Sequence, residues 1–101
     1  MPTRNPTERG FQATVIALAK LYKWLVYHTH DSRRSQAGFP DLVLVKSPRI
    51  IYAELKTSRG KVRPEQVAWL EALRACGCDA RLWRPEDWPE IERTLKGEDV
   101  A

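Results

Sequence analysis

Residues 38–56 read GFPDLVLVKSPRIIYAELK and contain two short apolar runs joined by the segment 46–49. Runs rich in Val, Ile, Leu and Tyr on either side of a Pro-containing loop predict an antiparallel β-hairpin. Neither run alternates between apolar and polar residues, which indicates strands that are covered on both faces. The hairpin therefore predicts a sheet that lies between helices.

Charged residues lie at one end of this hairpin. If the loop has four residues, Val45 pairs with Ile50, and Asp41 then lies opposite Glu54 on the same face of the sheet. Lys56 points to that face too. A three-residue loop would place the two carboxylates on a diagonal. Such charges could belong to a solvated strand end, but burying them without partners or a metal is costly. We therefore expect a functional site here.

The same residues resemble a known signature. Pro40–Asp41, twelve intervening residues and Glu54–Lys56 are similar to the PD-(D/E)XK nuclease motif. Together with Gly38–Leu42 before the first strand and Pro64–Gln66 at the start of the next helix, they resemble the VRR-NUC family, particularly its short stand-alone members from bacteriophages and bacteria. The resemblance extends over about residues 8–85.

The resemblance implies one α/β domain over residues 1–101, with a PD-(D/E)XK core in the order αβββαβα and a four-stranded mixed sheet flanked by helices. The residue pattern predicts the same order. Its elements are a first amphipathic helix with apolar residues from Phe11 to Tyr22, strands at 24–27 and 80–83 beside the hairpin, a helix over 65–76, and a short last helix over 85–95 with a frayed tail. Asn5 is predicted to cap the first helix, with Pro6 at its first position.

The residue types at the hairpin end suit a metal-dependent reaction. Carboxylate oxygens of Asp41 and Glu54 and the backbone carbonyl of Leu55 are the hard ligands that Mg²⁺ or Mn²⁺ prefers. Lys56 would position a water and stabilise developing negative charge. Whether Lys56 also acts as a base, and whether one metal or two bind, is left open by the sequence.

Two further residues are candidates for the site. In the resembled family a glutamate of the first helix completes the metal site, and Glu8 is the only glutamate before the hairpin. Alternatively, Glu8 could reach back to Asn5 as a capping partner. Gln66 is expected to orient a carboxylate or Lys56. A capping-box role for Gln66 is disfavoured, because its cap position holds Arg63 and not Ser or Thr.

Charge is distributed unevenly along the chain. The net charge is +4, with +7 in residues 1–78 and −3 in residues 79–101. Basic residues beside a carboxylate cluster suit a polyanionic substrate, although each group could also be a solvated loop. The candidates for DNA binding are Arg33, Arg34, Arg59, Lys61 and Arg63.

Other classes of protein find less support. No apolar run approaches the length of a membrane span, and the N-terminus does not resemble a signal peptide. We therefore expect a cytoplasmic protein of a bacterium or a phage-infected cell. Cys76 and Cys78 lack the further ligands of a zinc site, so neither zinc nor a disulfide is expected, and Cys76 is expected to pack at a helix end. His28 and His30 are not accompanied by a serine in a catalytic motif, so a small-molecule hydrolase is less favoured.

The resemblance implies a Mg²⁺- or Mn²⁺-dependent endonuclease that cleaves DNA phosphodiester bonds and leaves a 5′-phosphate and a 3′-hydroxyl. A small domain without a recognition module favours branched, flapped or four-way DNA, and a homodimer like that of Holliday-junction resolvases would suit paired nicks. Candidate exposed tryptophans, Trp24, Trp83 and Trp88, also favour a dimer. The alternatives are a non-catalytic DNA-binding module and a subunit of a larger phage replication or restriction assembly.

Overall fold

The sequence order of helices and strands matches the prediction. The structure, a computed structural model, describes residues 6–29 and 36–100. Its elements are α1 (Glu8–Leu21), β1 (Leu25–His28), β2 (Leu42–Lys46), β3 (Arg49–Leu55), α2 (Pro64–Ala75), β4 (Asp79–Trp83) and α3 (Trp88–Lys96), the last preceded by a 3-10 turn over Pro85–Asp87. The predicted αβββαβα order is confirmed.

The four strands form one mixed sheet in the order β1-β2-β3-β4. The first two pairings are antiparallel, and β4 lies parallel to β3 after the crossover through α2. Val45 pairs with Ile50 as predicted, and the strands extend one pair further to Lys46 and Arg49. Only Ser47 and Pro48, joined by a cis peptide bond, lie between the two strands. The predicted register is therefore confirmed, although the loop is shorter than expected.

The core lies on one face of the sheet. On α1 the stripe of Phe11, Val15 and Ala19 recurs every four residues and is completely buried. It packs with alternate residues of β2 and β3 and with the apolar face of α3, namely Leu42, Leu44, Ile51, Ala53, Leu55, Ile91 and Leu95. Helices α1 and α3 therefore cover this face.

The opposite face of the hairpin is only partly covered. Val43, Val45 and Tyr52 are half-buried, and Ile50 is 48% exposed. The expectation of strands covered on both faces is therefore wrong for this part of the sheet. The physical reason is that α2 packs beside β4, where Arg74 Nε donates to the Ala80 carbonyl at 2.9 Å, and does not extend over β1 and β2.

The tryptophans that were candidates for surface exposure are buried. Trp24, Trp83 and Trp88 expose 4%, 0% and 5% of their surface. The Trp24 indole donates to the Leu95 carbonyl at 2.9 Å, and the Trp83 indole donates to Glu90 Oε2 at 3.0 Å. The expectation of exposed tryptophans is wrong, because in this small domain the indoles fill the core and its border.

The ends of the two long helices differ in detail from the prediction. Helix α1 begins at Glu8 and is capped by Thr7, whose hydroxyl accepts from the Gly10 amide at 3.0 Å. Asn5 lies outside the described residues. Helix α2 ends before Cys76, and Gly77 follows with a left-handed φ of 84°. Cys76 is exposed and not packed as expected, because it lies where the chain leaves the helix.

The residues of the predicted site lie at one end of the sheet. The C-terminal ends of β1, β3 and β4 and the N-terminal end of β2 meet there, since β2 runs antiparallel to its neighbours.

Within residues 6–29 and 36–100, no helix combines the length and apolar character that crossing a membrane requires.

Candidate active site

Asp41 and Glu54 are neighbours across the hairpin. They lie one residue beyond the Leu42–Ala53 pair, where the register brings their backbones opposite each other. Asp41 Oδ2 accepts a hydrogen bond from the Leu55 amide at 2.9 Å. This bond fixes the Asp41 carboxylate against the end of β3. The predicted convergence of the two carboxylates is therefore present in the structure.

The Glu54 carboxylate is almost completely buried, with 1% of its surface exposed. Its Oε2 accepts from Gln66 Nε2 at 2.9 Å and lies 3.6 Å from Lys56 Nζ. Its Oε1 is buried and has no hydrogen-bond partner among the described residues. Gln66 thus holds one oxygen, and the other is available to share the proton of the Asp41–Glu54 pair or to bind a ligand from outside.

Burial and mutual repulsion change the acidity of this pair. Burial, followed by the charge of Asp41, raises the pKa of Glu54 to about 8, against the opposing effect of Lys56. Burial also raises the pKa of Asp41, against the hydrogen bond from the Leu55 amide, and the charge of Glu8 adds to the rise. Near neutral pH and without a cation, the pair therefore retains one proton between the two carboxyl groups.

Gln66 has two partners, one on each side of its amide group. Its Oε1 accepts from the Arg63 backbone amide at 2.9 Å, and its Nε2 donates to Glu54. The predicted contact with a carboxylate is therefore present. The view that Gln66 does not cap its helix is wrong, because the reach from the third helical position back to the cap amide does not depend on which side chain the cap residue carries.

Glu8 occupies the first position of α1 and is exposed. Since the helix begins at Glu8, it is not the third helical residue that the sequence predicted. Its charge acts on Asp41, as the pKa of that carboxyl shows. Among the described residues, however, no group of three or more acidic, histidine or cysteine side chains is placed to hold a metal. The structure thus brings Asp41 and Glu54 together and leaves Glu8 outside their immediate contact.

The residues present fit a hard divalent cation. A buried carboxylate oxygen without a hydrogen bond is costly, and Glu54 Oε1 is such an atom. A cation of the Mg²⁺ type binds carboxylate and carbonyl oxygens. It would satisfy this oxygen and offset the repulsion between Glu54 and Asp41. The donor set is therefore suitable for Mg²⁺ or Mn²⁺.

The structure describes three of the five basic residues that were predicted to bind DNA. Arg33 and Arg34 lie outside the described residues. Arg59 is exposed and lines a cleft of about 390 Å³ together with Pro6, Thr57 and Ser58. Lys61 and Arg63 are exposed as well, and Arg63 Nε lies 3.3 Å from Glu65 Oε1. The structure thus places Arg59 at a cleft beside the start of α1.

Arg84 was not identified from the sequence. Its Nη1 donates to the carbonyls of Thr57 and Gly60 at 2.7 and 2.8 Å, and Ser58 Oγ donates to Glu86 Oε1 at 2.9 Å. The segment after β4 therefore holds the loop that follows Lys56. No sequence pattern indicates a contact between two loops, and from the sequence the adjoining Pro85 was predicted only to begin the last helix.

Gly38 and its neighbours attach the loop before Asp41 to α2. Gly38 has a φ of +91°, and a Cβ there would lie 2.4 Å from the Glu65 carbonyl oxygen. The Trp69 indole donates to the Ala37 carbonyl at 3.2 Å, and Phe39 packs edge-on against it with ring centroids 5.1 Å apart. This contact places the chain that carries Asp41 next to the helix that carries Gln66.

Comparisons with known proteins agree with this architecture. A family model described as the VRR-NUC domain matches residues 11–86. A solved structure described as a VRR_NUC domain protein is similar in fold, with a TM-score of 0.70 and 20% sequence identity, and the match covers 91% of this chain and 92% of the other. No curated protein matches the chain.

Proposed function

Because the chain belongs to the VRR-NUC family of DNA-processing nucleases, we propose that it is a divalent-metal-dependent endonuclease that hydrolyses DNA phosphodiester bonds. The observation that carries the proposal is the buried Glu54 carboxylate, which is held through one oxygen while the other has no partner among the described residues. A structural carboxylate would be expected to have both oxygens satisfied.

Asp41, Glu54 and the Leu55 backbone carbonyl are proposed to hold Mg²⁺ or Mn²⁺, with Glu8 as a further carboxylate nearby. When bound, such an ion lowers the pKa of a water molecule and polarises the phosphoryl oxygen. The protein supplies the orientation. The Leu55 amide holds Asp41, and Gln66 holds Glu54, so neither carboxylate has to reorganise during the reaction.

Lys56 is proposed to stabilise the negative charge that develops on the phosphate. Its side chain is 11% exposed, and its ammonium group lies 3.6 Å from Glu54 Oε2. A fixed positive charge in a partly desolvated site acts more strongly than the same charge in water. The proposed products, which the resemblance to the family implies, are a 5′-phosphate and a 3′-hydroxyl.

The test is cleavage of linear, nicked, flapped and four-way DNA in Mg²⁺ or Mn²⁺. Asp41→Asn and Glu54→Gln are expected to abolish cleavage and to retain DNA binding, and Lys56→Ala to slow cleavage by about a hundredfold. Ca²⁺ should support binding without turnover, because it prefers a looser coordination shell. The control is Glu71→Gln, which removes an exposed charge on α2.

Full activity of the double variant Asp41→Asn/Glu54→Gln would show that the site is wrongly assigned. If wild-type protein binds the DNA panel and cuts none of it in either metal, the alternative of a non-catalytic DNA-binding module is correct. Activity that appears only with added host or phage proteins would instead support a subunit of a larger assembly.

Branched DNA is the proposed substrate, and the proposed assembly is a homodimer in the cytoplasm of a bacterium or phage-infected cell. The small domain offers little surface for reading bases, and two sites related by a two-fold axis would suit paired nicks. The buried tryptophans no longer support the dimer. Light scattering at assay concentration tests it, and a monomeric mass with equal cutting of linear and four-way DNA would contradict both proposals.

A further inference from the structure

A second cleft lies beside the proposed metal site, on the side of α1 and β1. Its volume is about 480 Å³, and it is lined by Glu8, Arg9, Gln12, His28 and Thr29. The Thr29 amide donates to the Asp41 carbonyl at 3.1 Å, so this cleft borders the strand end that carries Asp41. The charge of Glu8, in the lining of this cleft, also acts on the Asp41 carboxyl, so the cleft adjoins that side of the proposed metal site.

The lining of this cleft suits a phosphate group. Arg9 is exposed and forms no ion pair within the described ranges 6–29 and 36–100. The Gln12 amide and the Thr29 hydroxyl can donate further hydrogen bonds. Among the described residues of the lining, Glu8 is the one acidic side chain, and its charge acts on Asp41. Guanidinium groups bind phosphate oxygens in a forked geometry that other side chains do not match.

Both clefts border the start of α1. Pro6 lines the cleft that contains Arg59, and Glu8, two residues further on, lines the cleft that contains Arg9. The start of the helix is therefore bordered by one cleft that contains Arg59 and by another that contains Arg9. An extended chain of phosphates could pass along this edge of the molecule, whereas a compact small ligand would occupy one cleft only.

The next inference rests on the proposed function. We propose that the cleft lined by Glu8, Arg9, Gln12, His28 and Thr29, called the α1 cleft, binds a backbone phosphate adjacent to the scissile one. Arg9 is the principal ligand of this phosphate. The strand then continues past the carboxylates towards Arg59. Arg9 does not touch the reacting atoms in this arrangement. It contributes binding that is equal in the ground state and the transition state, so its loss raises KM and leaves kcat nearly unchanged.

A matched pair of variants tests this proposal. Arg9→Ala removes the proposed ligand. Arg93→Ala removes an exposed arginine of α3, next to Thr94 and Leu95, which contact Arg81 and Trp24 at the opposite end of the sheet. In Ca²⁺, Arg9→Ala is expected to weaken binding of four-way DNA roughly tenfold. It should also reduce the slope of log K against log salt by about one. Arg93→Ala should change neither quantity.

A second measurement locates the contact on the DNA. Single phosphates around the cleavage position are replaced one at a time by neutral methylphosphonates. Wild-type protein should lose affinity at one position next to the scissile phosphate, and Arg9→Ala should be insensitive at that position. Arg9→Lys should restore part of the affinity, because it returns the charge without the fork.

Equal affinities and salt slopes for Arg9→Ala and Arg93→Ala would overturn the inference, as would an Arg9→Ala variant that keeps the wild-type methylphosphonate pattern. These results are distinct from failure of the proposed function. If wild-type protein cuts DNA in Mg²⁺ while Arg9→Ala behaves like Arg93→Ala, the proposed nuclease function is supported. The same result shows that the α1 cleft does not bind the substrate.

Discussion

Glu54→Gln is expected to change how the stability of the metal-free protein depends on pH. In the folded protein the pKa of Glu54 is raised from 4.5 to about 8, by burial first and by the charge of Asp41 second. A carboxyl with a raised pKa contributes stability that is fully present below about pH 4.5. That contribution is lost as the pH rises from 4.5 to about 8, since the unfolded chain ionises Glu54 in this range while the folded protein keeps the carboxyl protonated.

The size of the effect follows from the pKa. A tenfold change in an acid dissociation constant corresponds to about 1.4 kcal/mol. A rise from 4.5 to about 8 therefore corresponds to a loss on the order of 4 to 5 kcal/mol between pH 4.5 and 8.5. Domains of this kind have roughly 5 to 15 kcal/mol of stability in total. The metal-free protein should accordingly be much less stable at the alkaline end.

The assay is urea unfolding in EDTA between pH 4.5 and 8.5 for wild type, Glu54→Gln and the control Glu71→Gln. The difference between wild type and Glu54→Gln reports on the Asp41–Glu54 pair, because the remaining titrating groups contribute to both proteins. Wild type and the control should lose stability in parallel, and Glu54→Gln should lose far less. Adding Mg²⁺ at pH 8.5 should restore wild type and have little effect on Glu54→Gln. Parallel curves for all three proteins would refute the reasoning.

Further substitutions test the residues that support the site. Gly38→Ala should lower the free energy of unfolding by about 2 kcal/mol, because a Cβ at a φ of +91° would meet the Glu65 carbonyl; a change under 0.5 kcal/mol in urea unfolding would contradict this. Arg84→Lys should lower the free energy of unfolding by about 1 kcal/mol and speed hydrogen exchange at the Gly60 amide, since an ammonium cannot bind both loop carbonyls in the same way. Unchanged exchange would show that Arg84 does not hold this loop. Thr7→Ala should cost about 1 kcal/mol and leave cleavage unaltered. Glu8→Ala should reduce cleavage about tenfold with unchanged stability, and the opposite pattern would assign Glu8 to the helix start.

The position of the two carboxylates could be predicted from the sequence because it depends on local pairing. Once Val45 pairs with Ile50, the two-residue period of the strands brings Asp41 and Glu54 together without reference to any other part of the chain. The same holds for α2, where Pro64 and Gly77 mark the start and the end. These parts of the fold follow from short-range rules.

Sequence analysis missed one local choice, that of the helix cap, and several contacts between distant segments. Asn5 and Thr7 are both good capping residues, and the pairing of the Thr7 hydroxyl with the Gly10 amide is one of two arrangements that local preference allows. The partial cover of Val43 and Ile50 depends on where α2 crosses the sheet. The Arg84 contacts join loops that lie 24 to 27 residues apart. No residue pattern encodes such distances.

The two hydrogen bonds of Gln66 restrict which residues that position can accept. Capping of the helix alone would allow glutamate at position 66 as readily as glutamine, since its carboxylate could also accept a hydrogen bond from the Arg63 amide. It would then place a third negative charge against Glu54, where the amide now donates a hydrogen bond. Asparagine offers the right groups on a side chain one methylene shorter, which cannot span both partners. Sequence variation that preserves this site should therefore spare the glutamine, even where the rest of the helix changes freely.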